Sequence, residues 1–347
     1  MQDVGYSVRG KVKSPLSIGI DLMGSDAPAR ELLETILLHY DSFDDPIYLT
    51  LFGTSEVFEG IPSPSASLSF FPVQEAIYMH ELPLIAIKRK PHSSLCVGIR
   101  MLKEGHLHAF ISAGNTGALM SCAKIHLASL SGLKRPALLT LFPGHQSEIA
   151  LLDVGASISY KAAHLVHFAA MGIAYQKSRG ISYPKLALLN IGSEAKKGTP
   201  ELRDAYQTLE HLSDKNHFIF IGNVEARNVF QTELDVLITD GFTGNIFLKT
   251  SEGIAFNILK MIGDIDKENH SLPLQRALYE LRQKLDYSKY PGALLAGIDK
   301  IVIKCHGEGS SSSILSSINN ACQLIKYNFI DKVKEQLQSL LFSGKRT

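Results

Sequence analysis

The chain has 347 residues, enough for about two domains of ordinary size around a large core. An apolar content of 45%, a charged content of 20% and a net charge of +1 exclude a disordered or fibrous chain and leave no basic surplus, so no nucleic-acid partner is expected. Cys96, Cys122, Cys305 and Cys322 stand far apart without CxxC spacing, which argues against a zinc site and fits reduced thiols in a cytoplasmic protein.

Residues 1–14 are polar and of mixed charge, the composition of a flexible tail, and show no basic-then-apolar secretory pattern. No apolar run approaches the roughly 20 residues that span a bilayer. Leu16 to Asp21 reads as a first strand ending in the turn Asp21-Leu-Met-Gly-Ser-Asp26. Ala29 to Tyr40 follows, with Leu32, Leu33, Ile36, Leu37 and Tyr40 on one helical face. The alternation continues through strand Ile47 to Phe52, a Pro/Ser-rich loop at Ile61 to Ser67, strand Leu68 to Phe71 and helix Ser93 to Glu104. Strands separated by helices predict an α/β fold with a mainly parallel sheet covered on both faces.

The stretch Ala109 to Met120 is the pivot of the pattern. A short buried strand, Ala109 to Ile111, breaks at Ser112-Ala-Gly-Asn-Thr-Gly117 before a helix resumes at Ala118. Glycines at 114 and 117 let a backbone approach a ligand, and the first amides of a helix carry partial positive charge, so the turn is suited to an anion. Asn115 and Thr116 add side-chain donors. An ordinary strand-to-helix turn capped by Thr116 is the plain alternative.

Beyond it, Ala137 to Phe142 and Glu148 to Asp153 flank Pro143-Gly144 and predict an antiparallel hairpin, the crossing to a second lobe. Asp153-Val-Gly-Ala156 precedes helix Tyr160 to Gln176. Strand Lys185 to Asn190 ends in Asn190-Ile-Gly-Ser-Glu194, with Lys196-Lys197-Gly198 before a helix opened by Pro200. Phe218 to Gly222 runs into Asn223, Val236 to Thr239 into Asp240-Gly-Phe-Thr-Gly-Asn245, and Ile301 to Cys305 into His306-Gly307. Strand after strand ends in Asp, Asn, Gly, Thr, Glu or His, and in open parallel sheets the ligand crevice lies at the carboxyl ends of the strands. These ends are expected to converge on one cleft.

Asp21-Leu-Met-Gly-Ser-Asp26, Ser112-Ala-Gly-Asn-Thr-Gly-Ala-Leu-Met120, Leu152-Asp-Val-Gly-Ala156, Leu189-Asn-Ile-Gly192, Gly222-Asn-Val-Glu225, Asp240-Gly-Phe-Thr-Gly-Asn245 and Leu248-Lys-Thr-Ser-Glu-Gly253 occur in order along nearly the whole chain. As a set they resemble the bacterial acyl-acyl carrier protein:phosphate acyltransferases of phospholipid synthesis. Ser25 stands where that family usually has glycine, Ala226 and Asn228 replace its glycine and aspartate, and Glu308 takes the place of a small residue. The resemblance implies transfer of a fatty acyl group from the carrier protein's thioester to inorganic phosphate, giving acyl phosphate. It also implies the fold of phosphotransacetylases and isocitrate or isopropylmalate dehydrogenases, in a homodimer. One catalytic unit, residues 15–340, would then form two lobes about a cleft, one from about 15–135 with 300–340 and the other from 136–299.

Hydrogen phosphate is already a dianionic nucleophile near neutral pH and a thiolate is a tolerable leaving group, so this chemistry needs neither a protein nucleophile nor a strong base. The chain accordingly has no GxSxG elbow, and no cofactor and no metal is expected. On this reading Asn115, Thr116 and Gly117 hold phosphate with Lys197 as counter-charge, and Asn190, Asn223, Thr243 and Asn245 orient the acyl carbonyl and its oxyanion. His306 is the candidate for proton transfer to the departing thiol. Each has a structural rival: Lys197 solvated beside Lys196, the asparagines capping turns, His306 in a turn. Asp21, Asp153 and Asp240 are expected to hold loops by backbone hydrogen bonds.

Lys88-Arg-Lys90 and Lys134-Arg135 offer a basic patch for an acidic acyl carrier protein. Ile254, Ile258, Leu259 and Ile262 form an apolar helical stripe suited to core or dimer interface, with peripheral membrane contact as a further option. The rival functions are a nicotinamide-dependent 2-hydroxyacid dehydrogenase, which lacks its GxGxxG here, and a non-catalytic scaffold that binds carrier protein or membrane.

Overall fold

The computed structural model describes residues 15–62, 66–130, 133, 135–144, 147–213, 218–269, 272–285, 290–305 and 311–343. The expected tail 1–14, Lys134, His306 and Glu308 lie outside the described residues. The first half of the chain runs β1 (Leu16–Asp21), α1 (Ala29–His39), β2 (Ile47–Gly53), α2 (Ser55–Phe58), β3 (Leu68–Pro72), α3 (Pro83–Arg89), α4 (Ser94–Lys103), β4 (Ala109–Ser112) and α5 (Thr116–His126). There follow β5 (Ala137–Pro143), β6 (Glu148–Leu152), α6 (Ala162–Ser178), β7 (Lys185–Asn190), α7 (Pro200–Leu212), β8 (Ile219–Glu225) and β9 (Val236–Ile238). The chain then forms the helices α8 (Gly241–Asn269) and α9 (Leu272–Leu285), the strands β10 (Ala293–Ala296) and β11 (Ile301–Lys304), and the helices α10 (Ser311–Lys326) and α11 (Phe329–Ser343).

All the described strands join one 11-stranded sheet in the order β3-β2-β1-β4-β11-β10-β5-β6-β9-β7-β8. The pairings of β1, β2, β3, β4 and β11 with one another are parallel, as are those of β6, β7, β8 and β9. The joints β11–β10, β10–β5 and β5–β6 are antiparallel, the last being the hairpin expected around Pro143-Gly144. Three reversals separate the two parallel blocks, so they run in opposite directions. The mainly parallel α/β sheet read from the alternation is the observed one.

Side chains alternate between two apolar cores, one on each face. Ile20, Ile111, Leu139, Leu188, Ile238 and Ile303 belong to the first, and Phe110, Leu138, Leu189, Leu237 and Val302 to the second. Leu33 of α1, Phe168 of α6, Leu209 of α7, Ile318 of α10 and Val333 of α11 cover the first face; Ile99 of α4, Leu119 of α5 and Leu248 of α8 cover the second. Strands buried on both sides can be apolar at every position, which is why their sequences read as continuous runs. The sequence reading omits α2, α3, α9, β10 and the helices after Cys305. β10 is only four residues between Gly292 and Gly297, too short for a periodic signal.

Candidate active site

Residues at the carboxyl ends of β1, β4 and β11 stand side by side, Asp21 opposite Ser112 and Ser112 opposite Lys304. The Ser112 hydroxyl donates to Asp21 Oδ2 at 2.8 Å and accepts the Gly114 amide at 3.1 Å, so the turn folds back over its own strand. Asp21 Oδ1 accepts the Met23 amide at 3.0 Å. Burial pushes the Asp21 carboxyl above its ordinary range, opposed by hydrogen bonds from Ser94, Met23 and Ser112 and by the charge of Lys304. The Lys304 side chain starts two strands away in the same register row: its Nζ donates to the Ala113 carbonyl at 3.1 Å and to the Cys305 carbonyl. Burial pushes this ammonium down to about 8, against the pull of Cys305, Asp21 and Asp26, and Lys249 of α8 lowers it further.

Helix α5 begins two residues earlier than the sequence pattern indicates, because Asn115 caps it: Oδ1 accepts the Ala118 amide at 3.0 Å. The other end of the Asn115 side chain donates to the carbonyls of Tyr78, Met79 and Glu81 at 3.2, 3.0 and 3.1 Å. Its donors are thus engaged within the protein, tying the loop before α3 to the turn. Thr116 and Gly117 are the first two residues of the helix, where amides have no intrahelical acceptor. These amides and the Thr116 hydroxyl are the donors the turn presents. Gly117 also lets α3 close over the turn, since a Cβ there would lie 2.6 Å from Pro83 Cγ.

The remaining candidates gather at the carboxyl ends of the opposite block. Asp153, fully buried after β6, accepts the amides of Leu138, Gly155 and Ala156 on Oδ1 and the Ser157 hydroxyl on Oδ2, at 2.8 to 3.1 Å. Asp240, after β9, accepts the amides of Phe242 and Thr243 at 3.0 Å and the Thr243 hydroxyl at 2.7 Å, starting α8. The three aspartates hold loops. Asn245 is exposed one turn into α8 and faces Gly155.

Asn190 Nδ2 donates to the Lys197 carbonyl at 3.2 Å, and Gly198, at φ +85°, leaves room for it where a Cβ would lie 2.6 Å from Asn190 Oδ1. Asn223 Nδ2 donates to the Glu194 carbonyl at 2.9 Å, while its buried Oδ1 has no partner among the described residues. Lys197 is exposed, 4.0 Å from Glu194, and its carbonyl accepts from Asn190 in this second set.

The structure therefore makes two clusters. Asn115, Thr116 and Gly117 belong to one; Asn190, Lys197, Asn223, Thr243 and Asn245 belong to the other. Their strands run in opposite directions, and α8 carries Thr243 and Asn245 at its start and, further along, Lys249, whose charge acts on Lys304. Sequence reasoning missed Lys304 because it closes the apolar run Ile-Val-Ile-Lys and reads as a strand end. A charged residue closing an otherwise apolar strand run was the available signal. Cys305 is also buried, its thiol donating to the Ser317 hydroxyl at 3.1 Å, so burial pushes that thiol up and it has no place as a nucleophile.

The fold belongs to a known class. Its sheet and helices superpose on a phosphotransacetylase from Staphylococcus aureus with a TM-score of 0.56 at 14% identity, covering 89% of this chain and 94% of that one. A phosphotransacetylase from Streptococcus pyogenes gives 0.56 at 15% identity, covering 93% and 94%.

The sequence profile of the family described as "Fatty acid synthesis protein" matches residues 16–332, and the chain belongs to that family. It is 36% identical to a phosphate acyltransferase of Caldanaerobacter subterraneus subsp. tengcongensis, over 93% of this chain and 98% of that protein. It is 38% identical to a phosphate acyltransferase of Chlamydia pneumoniae, over 91% and 99%. The protein is an acyltransferase, and its acyl transfer involves phosphate.

Proposed function

We propose that the enzyme transfers a fatty acyl group from the thioester of an acyl carrier protein to inorganic phosphate, and that the acyl phosphate feeds phospholipid synthesis. The observation that carries this reading is the first turn of α5: two helix-start amides and a threonine hydroxyl at a glycine turn, held open by the Asn115 anchor. Phosphate bound there meets the positive end of the helix. Its oxygen attacks the thioester carbonyl, the tetrahedral oxyanion is stabilised by donors at the start of α8, chiefly Asn245, and the thiolate leaves with a proton from His306. Holding nucleophile and thioester together contributes roughly 7 to 11 kcal/mol when the geometry is right, and each well-placed oxyanion donor about 3 to 4 kcal/mol. The halves of the sheet act as two lobes about this cleft.

Lys88 and Arg89, exposed at the end of α3 beside the turn, steer the acidic carrier; Lys90 is engaged with Glu81 and the Ala76 carbonyl, and Arg135 with Ser159. The enzyme works in the cytoplasm as a homodimer, whose second copy covers the apolar face of α8 and α9, where Ile254, Phe256, Ile258 and Tyr279 are exposed. Contact of that face with a bilayer is the competing occupant. Among the described residues no helix is long and apolar enough to cross a membrane. The test is incubation with an acyl carrier protein thioester and phosphate: acyl phosphate is expected, and its absence, or reduction of an added nicotinamide cofactor with a 2-hydroxy acid, would remove this reading.

A further inference from the structure

Lys304 is a buried charge with an odd set of partners. It is 6% exposed, and its ammonium donates to two neutral carbonyls, those of Ala113 and Cys305, with no direct bond to a carboxylate among the described residues. Burying an ammonium is expensive, and a methionine of similar volume would fill the same space at lower cost. Its neighbours show what the charge is for. Asp21 is buried two strands away in the same register row, and its carboxylate accepts from Ser112 at the base of the α5 turn. When ionised, a carboxyl buried behind that turn repels an anion arriving in front of it. Lys304 offsets it, and through the Ala113 carbonyl it also fixes the backbone between Ser112 and Gly114.

We propose that Lys304 is the positioning residue of the phosphate site, holding the Ser112–Gly117 turn in shape and keeping it electropositive against Asp21, so that anion binding requires its positive charge. This rests on the reading of the α5 turn as the phosphate site. The charged and titratable groups that face it are Asp21 at the end of β1, Asp26 in the following loop, Cys305 directly after its own strand and Lys249 on α8. Burial has brought its proton to about 8, within reach of a modest rise in pH.

The test measures binding of sulfate and of phosphate by calorimetry to the full chain, without thioester, for the wild type, Lys304→Met and Lys304→Arg. Sulfate stays a dianion throughout, so its pH dependence reports on the protein. Wild-type sulfate affinity is expected to fall about tenfold or more between about pH 7 and pH 10. Lys304→Arg should bind with no such fall, because a guanidinium keeps its proton. Lys304→Met, shown to be folded by circular dichroism, should bind weakly throughout and, in turnover, raise KM for phosphate more than it lowers kcat.

A wild-type affinity that is flat over this range, a fall that persists in Lys304→Arg, or wild-type binding by folded Lys304→Met would overturn the proposal. Should Lys304→Met not fold, the first two measurements decide it. Charge-dependent anion binding without acyl phosphate formation would leave this inference standing and remove the proposed function instead.

Discussion

Asn115 joins two segments through one side chain, capping α5 with its oxygen and gathering three carbonyls of the 78–81 loop with its nitrogen. Asn115→Ala removes the cap and leaves those carbonyls short of a donor, at a cost of about 2 kcal/mol in urea unfolding. The same change should lower kcat/KM for phosphate about a hundredfold while the protein stays folded, because the first turn of α5 loses its shape; retained turnover would detach Asn115 from the site.

Lys304 makes a separate prediction for stability. Unfolded, a lysine keeps its proton to about pH 10.4, whereas here it is released near about 8. Between those values the unfolded chain holds more protons, so stability must rise with pH, and the destabilisation is present in full below about pH 8. Relative to Lys304→Met, the wild type should gain up to about 3 kcal/mol between about pH 8 and pH 10.5, read from paired urea titrations. A flat difference would mean the ammonium is not desolvated. The residue types at the turn were legible in the sequence, but their partners were not, because Asn115 reaches carbonyls 34 to 37 residues away and Lys304 reaches Ala113 across 191.

Elements place these residues by ending where they do. Asp153 and Asp240 accept the amides that start their loops and α8, the behaviour expected of aspartates directly after strands. Strands β1 to β9 and β11 were legible because apolar runs break sharply into turn-forming and polar residues. By contrast α3 has only seven residues, and its role shows only in its packing on Gly117. Gly117→Ala drives a methyl into Pro83 and should cost about 1 to 3 kcal/mol, with a larger loss of phosphate affinity than of thermal stability.

The α8–α9 hairpin, of 29 and 14 residues, buries Leu248, Ala255 and Leu278 but exposes Ile254, Phe256, Ile258 and Tyr279. Replacing Ile254 and Ile258 together by glutamate should convert a dimer to a monomer in sedimentation velocity without unfolding it. An unchanged dimer would place the interface elsewhere, and flotation of the wild type with anionic liposomes in low salt would assign the face to lipid.

For the molecule as a whole, the sheet has two parallel blocks pointing opposite ways, joined through β10 and β5, with α8 starting directly after Asp240 at the end of β9. The alternation of strands and helices made the class of fold legible. The opposition of the blocks was not, because direction depends on the short strand β10, which leaves almost no trace in the sequence. Strand ends of two opposed blocks carry the candidate residues, and we propose that phosphate and the acyl carbonyl meet between the α5 turn and the start of α8.

That division of labour requires phosphate itself to attack the thioester, with no acyl group ever carried by the polypeptide. It is tested most directly by quenching a turnover mixture of enzyme, acyl carrier protein thioester and phosphate, then following acyl phosphate by phosphorus NMR and the intact mass of the enzyme. Acyl phosphate appearing in step with thioester loss, on an enzyme of unchanged mass, is the predicted result. An enzyme heavier by one acyl group, or thioester consumed without acyl phosphate, would contradict it.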